Sequence, residues 1–82
     1  MNSTAKKISA DELSILKILI GEEKITADLS DGREVSIPIA WFPSLRNATK
    51  EQLKKFEISP SGYGVHWPEV DEDISIKAFV GI

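Results

Sequence analysis

The chain has 82 residues, of which 41% are hydrophobic and 28% charged, with a formal net charge of −3. That length allows one domain with one thin core, and the composition is that of a folded globule and unlike that of a disordered tail. The 13 acidic residues against 10 basic ones argue against free nucleic acid as the main partner, and the absence of cysteine excludes a disulfide framework, a thiolate nucleophile and a zinc knuckle.

The longest strongly apolar run, Ile15 to Ile20, is interrupted by Lys17 and falls far short of the ~20 residues of a membrane helix. Met1 to Asp11 contains Lys6 and Lys7 but no apolar signal-peptide core, so the expected compartment is the cytoplasm, without a membrane partner. Residues 1–12 read as a flexible N-terminal arm and 13–82 as a single α+β domain.

Between Leu13 and Ile20 two periods compete, since Leu13, Leu16 and Ile20 suit a helix while Leu16, Ile18 and Ile20 alternate as in a strand. The strand is expected, because Gly21-Glu22-Glu23 is a turn signal and Ile25, Ala27 and Leu29 then alternate with polar residues. Asp31-Gly32 suits a tight type I′ hairpin, whose central positions both need positive φ. Val35 and Ile37 continue the alternation until Pro38 removes a ladder donor, which completes a three-stranded antiparallel meander.

Trp41-Phe42-Pro43 interrupts the pattern, and Ala48 to Leu53 opens a helix with Thr49 and Gln52 at capping-box spacing and Ala48 placed to staple onto Leu53. Arg46, Lys50 and Lys54 recur at every fourth position and would line one basic flank of that helix. The turn cluster Ser59-Pro60-Ser61-Gly62 separates Phe56–Ile58 from Tyr63–Trp67, two runs placed to pair. Beyond Pro68, an acidic stretch leads into a last helix capped by Asp73 or Ser75 and ending at Gly81. The expected fold class is α+β: a small antiparallel β-sheet, a three-stranded meander plus a short hairpin, with one or two short helices packed on it.

Asp31-Gly32-Arg33, Pro38, Trp41-Phe42-Pro43 with Leu45, Ala48-Thr49, Gly62 through Pro68, and Asp71 through Ser75 follow in an order that resembles the small bacterial family called domain of unknown function 2442. The resemblance covers about Ile25 to Gly81. It implies a compact α+β fold, a mostly bacterial host and a role as the antitoxin-like half of a toxin–antitoxin pair. Genes of this family often neighbour another small family, domain of unknown function 4160, which the resemblance makes the expected protein partner. Some relatives carry a helix-turn-helix domain after this one; this sequence ends at Ile82, so autonomous DNA binding is not expected of it. The family supplies no catalytic residues to carry over.

The residues themselves offer few armed groups. His66, the single histidine, would serve as a proton shuttle or metal ligand in one reading, and in the favoured one fixes local structure through one hydrogen bond. Glu69, Asp71, Glu72 and Asp73 supply oxygen ligands without the alternation and central glycine of a calcium loop, so helix capping is favoured over a cation site, with an acidic rim for a partner as the rival. Gly62-Tyr63-Gly64 lacks the Lys-Ser/Thr of a phosphate loop and reads as a hairpin. There is no Gly-x-Ser-x-Gly elbow, so no catalytic residue, metal or cofactor is expected.

The aromatic set Trp41, Phe42, Tyr63 and Trp67, in loop-like segments with adjacent prolines, points to a binding hot spot, although each Trp taken singly reads first as completing a thin core. With Arg33, Arg46, His66, Glu69, Asp71, Glu72 and Asp73 it forms the expected partner-binding set. The function expected is therefore a non-catalytic protein-interaction module, the antitoxin-like partner of a small toxin, with a homodimer also in view. The alternatives are a nucleic-acid-associated regulator using Arg46, Lys50, Lys54 and Lys55, and, last, a metal-assisted hydrolase built on His66 and the carboxylates.

Overall fold

A computed structural model describes residues 13–81. The expected N-terminal arm, residues 1–12, lies outside the described residues. The chain first lays down β1 (Ile15–Ile20), β2 (Lys24–Leu29) and β3 (Glu34–Pro38), an antiparallel sheet in the order β1-β2-β3. Alternation sets its faces: the rows Ile20–Ile25–Ile37 and Ile18–Ala27–Val35 point to the core, and the rows Leu19–Thr26–Ser36 and Lys17–Asp28–Glu34 point away. A β-bulge between Ile15 and Lys17 returns Ile15 to the core opposite Leu29 and leaves Leu16 outside.

The hairpin between β2 and β3 forms where Asp31-Gly32 predicts it, but it is not a type I′ turn. The Gly32 N–H donates to the Leu29 C=O and the Leu29 N–H to the Arg33 C=O, so Ser30 and Asp31 make the turn and Gly32, at φ 97°, follows it as the left-handed residue. Asp31 stays at negative φ, which costs a side-chain-bearing residue nothing.

A 3₁₀ turn (Ile39–Trp41) leads into α1 (Pro43–Arg46), with Pro43 in its first turn, and then α2 (Lys50–Lys54). The capping box is formed as predicted: Thr49 Oγ1 accepts from the Gln52 N–H and Gln52 Oε1 from the Thr49 N–H, both at 3.0 Å. That extended N-cap also divides the helical segment, so Arg46 and the pair Lys50 and Lys54 stand on two separate short helices and not on one flank.

The second half is a second antiparallel sheet, β4 (Glu57–Ile58), β5 (Gly64–Trp67) and β6 (Glu72–Ser75), in the order β4-β5-β6. The expected short hairpin is thus β4 and β5, and the acidic stretch adds a third strand to it. Ser75 then caps α3 (Ile76–Val80), its Oγ accepting from the Lys77 N–H at 3.1 Å, and the helix ends at Gly81.

One cluster fills the space between these elements. Val65, Trp67 and Ile74 of the second sheet meet Ile18, Ile25 and Leu29 of the first, with Ile39, Leu45, Leu53, Ile76 and Phe79 from the helical segments. Each such side chain contributes about 1.5–3 kcal/mol on full burial. The two halves are also tied by hydrogen bonds: the Ile15 N–H donates to the Gly62 C=O, and the Ser14 hydroxyl to the Ser61 C=O at 3.0 Å.

Candidate functional site

The two tryptophans part company. Trp67 is fully buried on the core face of β5, where its Nε1–H donates to the Leu53 C=O at 2.9 Å and its ring meets Phe56 at 6.2 Å between centroids. A buried indole needs a partner for its N–H, and the last carbonyls of α2, which have no donor within the helix, provide one. Trp67 is therefore removed from the partner-binding set: Val65 and Trp67 share one strand face, and that face is the core.

Trp41 is 62% exposed at the end of the 3₁₀ turn. The turn beneath it is well anchored, because Ile39 and Leu45 are buried on either side, the Ile39 N–H donates to the Glu23 C=O, and the Phe42 C=O accepts from both Leu45 and Arg46 N–H groups. Phe42 is half-buried beside the core and Arg46 is exposed in the last turn of α1. Trp41, Phe42 and Arg46 thus belong to one segment whose backbone is anchored at both ends.

Tyr63, also 62% exposed, belongs to a different face. Register places Glu57, His66 and Asp73 in one row across the outward side of the second sheet, and His66 Nδ1 lies 2.6 Å from Asp73 Oδ1. With Tyr63, Pro60 and the bare Gly64 these residues line an open depression of about 400 Å³. The imidazole is engaged by one cross-strand hydrogen bond, the local structural role favoured for it. Glu57 is the member of this row that the residue pattern did not single out, because a two-residue strand leaves no alternation to read.

The remaining candidates scatter. Asp71 occupies the β5–β6 turn at φ 54°, a conformation that aspartate tolerates better than most residues. Glu69 pairs with Lys55 at 3.1 Å, and Glu72 is half-buried opposite Trp67. Lys50 pairs with Glu22 at 3.6 Å, so two of the four basic candidates, Lys50 and Lys55, face carboxylates while Arg46 and Lys54 form no ion pair among the described residues. Among the described residues no three His, Asp or Glu side chains stand together as metal ligands. No helix there is long and apolar enough to cross a membrane.

Arg33 folds back on its own hairpin, with its Nε 2.7 Å from Asp31 Oδ2 and its N–H donating to Asp31 Oδ1 at 3.1 Å. These contacts, the backbone N–H foremost, hold the Asp31 carboxyl below its ordinary value. A carboxylate with a depressed folded-state pKa stabilises above its unfolded pKa and stops doing so as pH falls through the folded value. Asp31→Asn is therefore expected to lower the urea midpoint at neutral pH, with the gap to wild type closing below about pH 4. A gap that stays constant down to about pH 2 contradicts the assignment.

A model of the family described as protein of unknown function (DUF2442) matches residues 16–81. A crystal structure of a protein of unknown function from Rhodospirillum rubrum is similar to this chain, with a TM-score of 0.73, 30% identity, and coverage of 87% of this chain and 89% of that one. A solution NMR structure of an uncharacterised protein from Chromobacterium violaceum is similar with a TM-score of 0.69 and 28% identity, over 83% of this chain and 64% of that one. No curated protein matches.

Proposed function

Because the chain belongs to the family of proteins of unknown function DUF2442, its role has to be read from its own surface, and we propose that it is a non-catalytic protein-interaction module, the antitoxin-like partner of a small toxin protein. The observation that carries this reading is Trp41, a large indole held 62% in solvent on a corner whose backbone is pinned from both sides. An exposed tryptophan on an anchored turn gives a large contact area without ordering of the backbone on binding, and tryptophan and arginine are the residues that dominate protein interfaces. The antitoxin-like element rests on the family resemblance, with a domain of unknown function 4160 protein as the expected partner.

Co-expression with the product of the adjacent gene tests it. A stable complex is expected, and Trp41→Ala should weaken it by about 30-fold or more, the loss of a hot-spot anchor of roughly 2 kcal/mol. Thermal unfolding of the free variant should match wild type, since Trp41 lies outside the core cluster. A complex indifferent to Trp41→Ala contradicts the anchor. Failure to recover any specific protein from the native host, with the neighbouring product supplied, contradicts the interaction reading itself.

A further inference from the structure

The depression of about 400 Å³ on the outward face of the second sheet is lined by two carboxylates, Glu57 and Asp73, and by no lysine or arginine. Glu57 is exposed and forms no ion pair among the described residues. It stands opposite His66 on β5, and Asp73 stands on the other side of the same imidazole. Asp73 Oδ1, 2.6 Å from His66 Nδ1, is an acceptor, so Nδ1 carries the hydrogen and Nε2 of the neutral ring is left as a further acceptor. The row Glu57–His66–Asp73 thus offers acceptors and negative charge, and its complement is a cation that brings several donors.

The wall and floor select the shape of that cation. Tyr63, 62% exposed, supplies an aromatic ring at one side. Gly64 alternates with Val65 and so shares the outward face with His66, but it has no side chain to fill the space above the strand. Its φ is not positive, so the backbone conformation does not call for glycine. A methyl there would lie 3.1 Å from the Ile74 carbonyl oxygen and would project into the depression. A bare position inside a strand suits the close approach of another group. A guanidinium is planar, carries five donors and no acceptor, bonds a carboxylate through two parallel N–H groups and stacks on an aromatic face. An ammonium is a compact point charge and gains little from a flat floor.

We propose that this depression binds the side chain of an arginine presented by another polypeptide, its guanidinium bonded to the Glu57 carboxylate and laid over Gly64 against the Tyr63 ring. His66, held by Asp73, contributes the neighbouring acceptor, and Asp73 adds to the negative field. Free arginine fits less well, because its α-carboxylate would meet Glu57 and Asp73 with no lining cation to receive it. Within a peptide that charge is gone. The site lies on the second sheet and does not include Trp41, so it is independent of the anchor proposed above.

Amide chemical shifts of the full chain, titrated with a capped glycine pentapeptide carrying a single central arginine, test the site. The expected result is saturable binding in the millimolar range, as suits a single side chain, with the shifts concentrated at Glu57, Tyr63, Gly64, His66 and Asp73. The same peptide with lysine in place of arginine, and free arginine, should each bind about threefold more weakly or worse. Glu57→Gln should weaken binding about tenfold and Tyr63→Leu about threefold. Both side chains are exposed, so the spectrum away from the depression should not change. Shifts that do not saturate, or that fall outside the depression, overturn the proposal. So does a Glu57→Gln or Tyr63→Leu variant that binds like wild type. Equal binding of the lysine peptide contradicts guanidinium recognition, and equal binding of free arginine contradicts a polypeptide as its source.

Discussion

Replacing Trp67 by alanine is expected to remove a third or more of the folding stability of the free protein. The indole is fully buried where the second sheet meets the first, against Phe56 and over α2, so the substitution opens a cavity that short, mutually dependent elements cannot close. Removing a core tryptophan costs about 3–5 kcal/mol. A domain of this size has roughly 4–12 kcal/mol in total, by the usual stability per residue. The loss has a second part, because Trp67 Nε1–H is the donor that satisfies the Leu53 C=O at 2.9 Å. Trp67→Phe isolates that part: it keeps an aromatic ring, strands a buried carbonyl, and should cost about 1–3 kcal/mol plus a small cavity. Urea unfolding of the two variants should therefore rank alanine well below phenylalanine, and equal midpoints would mean that the ring does not fill the core.

Gly62→Ala is the second large effect, and it acts through the backbone. Gly62 has φ 76°, which costs a residue with a Cβ about 1–2 kcal/mol. A Cβ at this position would also lie 2.8 Å from Ser14 Cβ, 3.0 Å from the Ile15 carbonyl oxygen and 3.1 Å from the Ile15 nitrogen. Two of those three atoms are main chain at the start of β1, and they belong to the junction in which the Ile15 N–H is bonded to the Gly62 C=O. Relief by a side-chain rotation is not available, so the β4–β5 turn has to separate from β1 and the seam between the sheets opens. Gly32→Ala provides the comparison: φ is 97°, but no atom lies within 4 Å of the added methyl. Denaturation should show a loss of about 1–2 kcal/mol at Gly32, that of the backbone conformation alone, and a clearly larger loss at Gly62. Equal losses would contradict the role given to the junction.

Much of the first half of the fold was legible in the residues because it obeys a period of two over three strands. Turn signals at Gly21-Glu22-Glu23 and Asp31-Gly32 marked where the strands reverse, and the capping box at Thr49 and Gln52 placed the start of α2. The hairpin turn was misread in kind, since Asp-Gly is compatible with two turn geometries and the dipeptide does not say which residue takes positive φ. β6 was missed because Glu72 and Asp73 read as the acidic lead-in that caps the last helix, while Glu72 in fact stands half-buried opposite Trp67. The supposed basic flank failed for a different reason. Helical spacing presumes a continuous helix, and the same Thr49 cap that starts α2 interrupts the row at Asn47 to Thr49.

The candidate site was less legible than the fold. Adjacent prolines and loop-like surroundings made the two tryptophans look alike, yet Val65 and Trp67 alternate with His66, and a strand there already implied that Trp67 and His66 face opposite ways. Trp41 has no such neighbour pattern, and only the fold shows its corner to be exposed. Glu57 could not be associated with His66 before the pairing of β4 with β5 was known.

The division of labour between the two indoles is tested most directly by acrylamide quenching of tryptophan fluorescence in wild type and Trp41→Phe. Wild type should show one quenchable and one protected component, and Trp41→Phe should keep only the protected, blue-shifted emission of Trp67. Emission from Trp41→Phe that is red-shifted and readily quenched would place Trp67 in solvent and contradict the account.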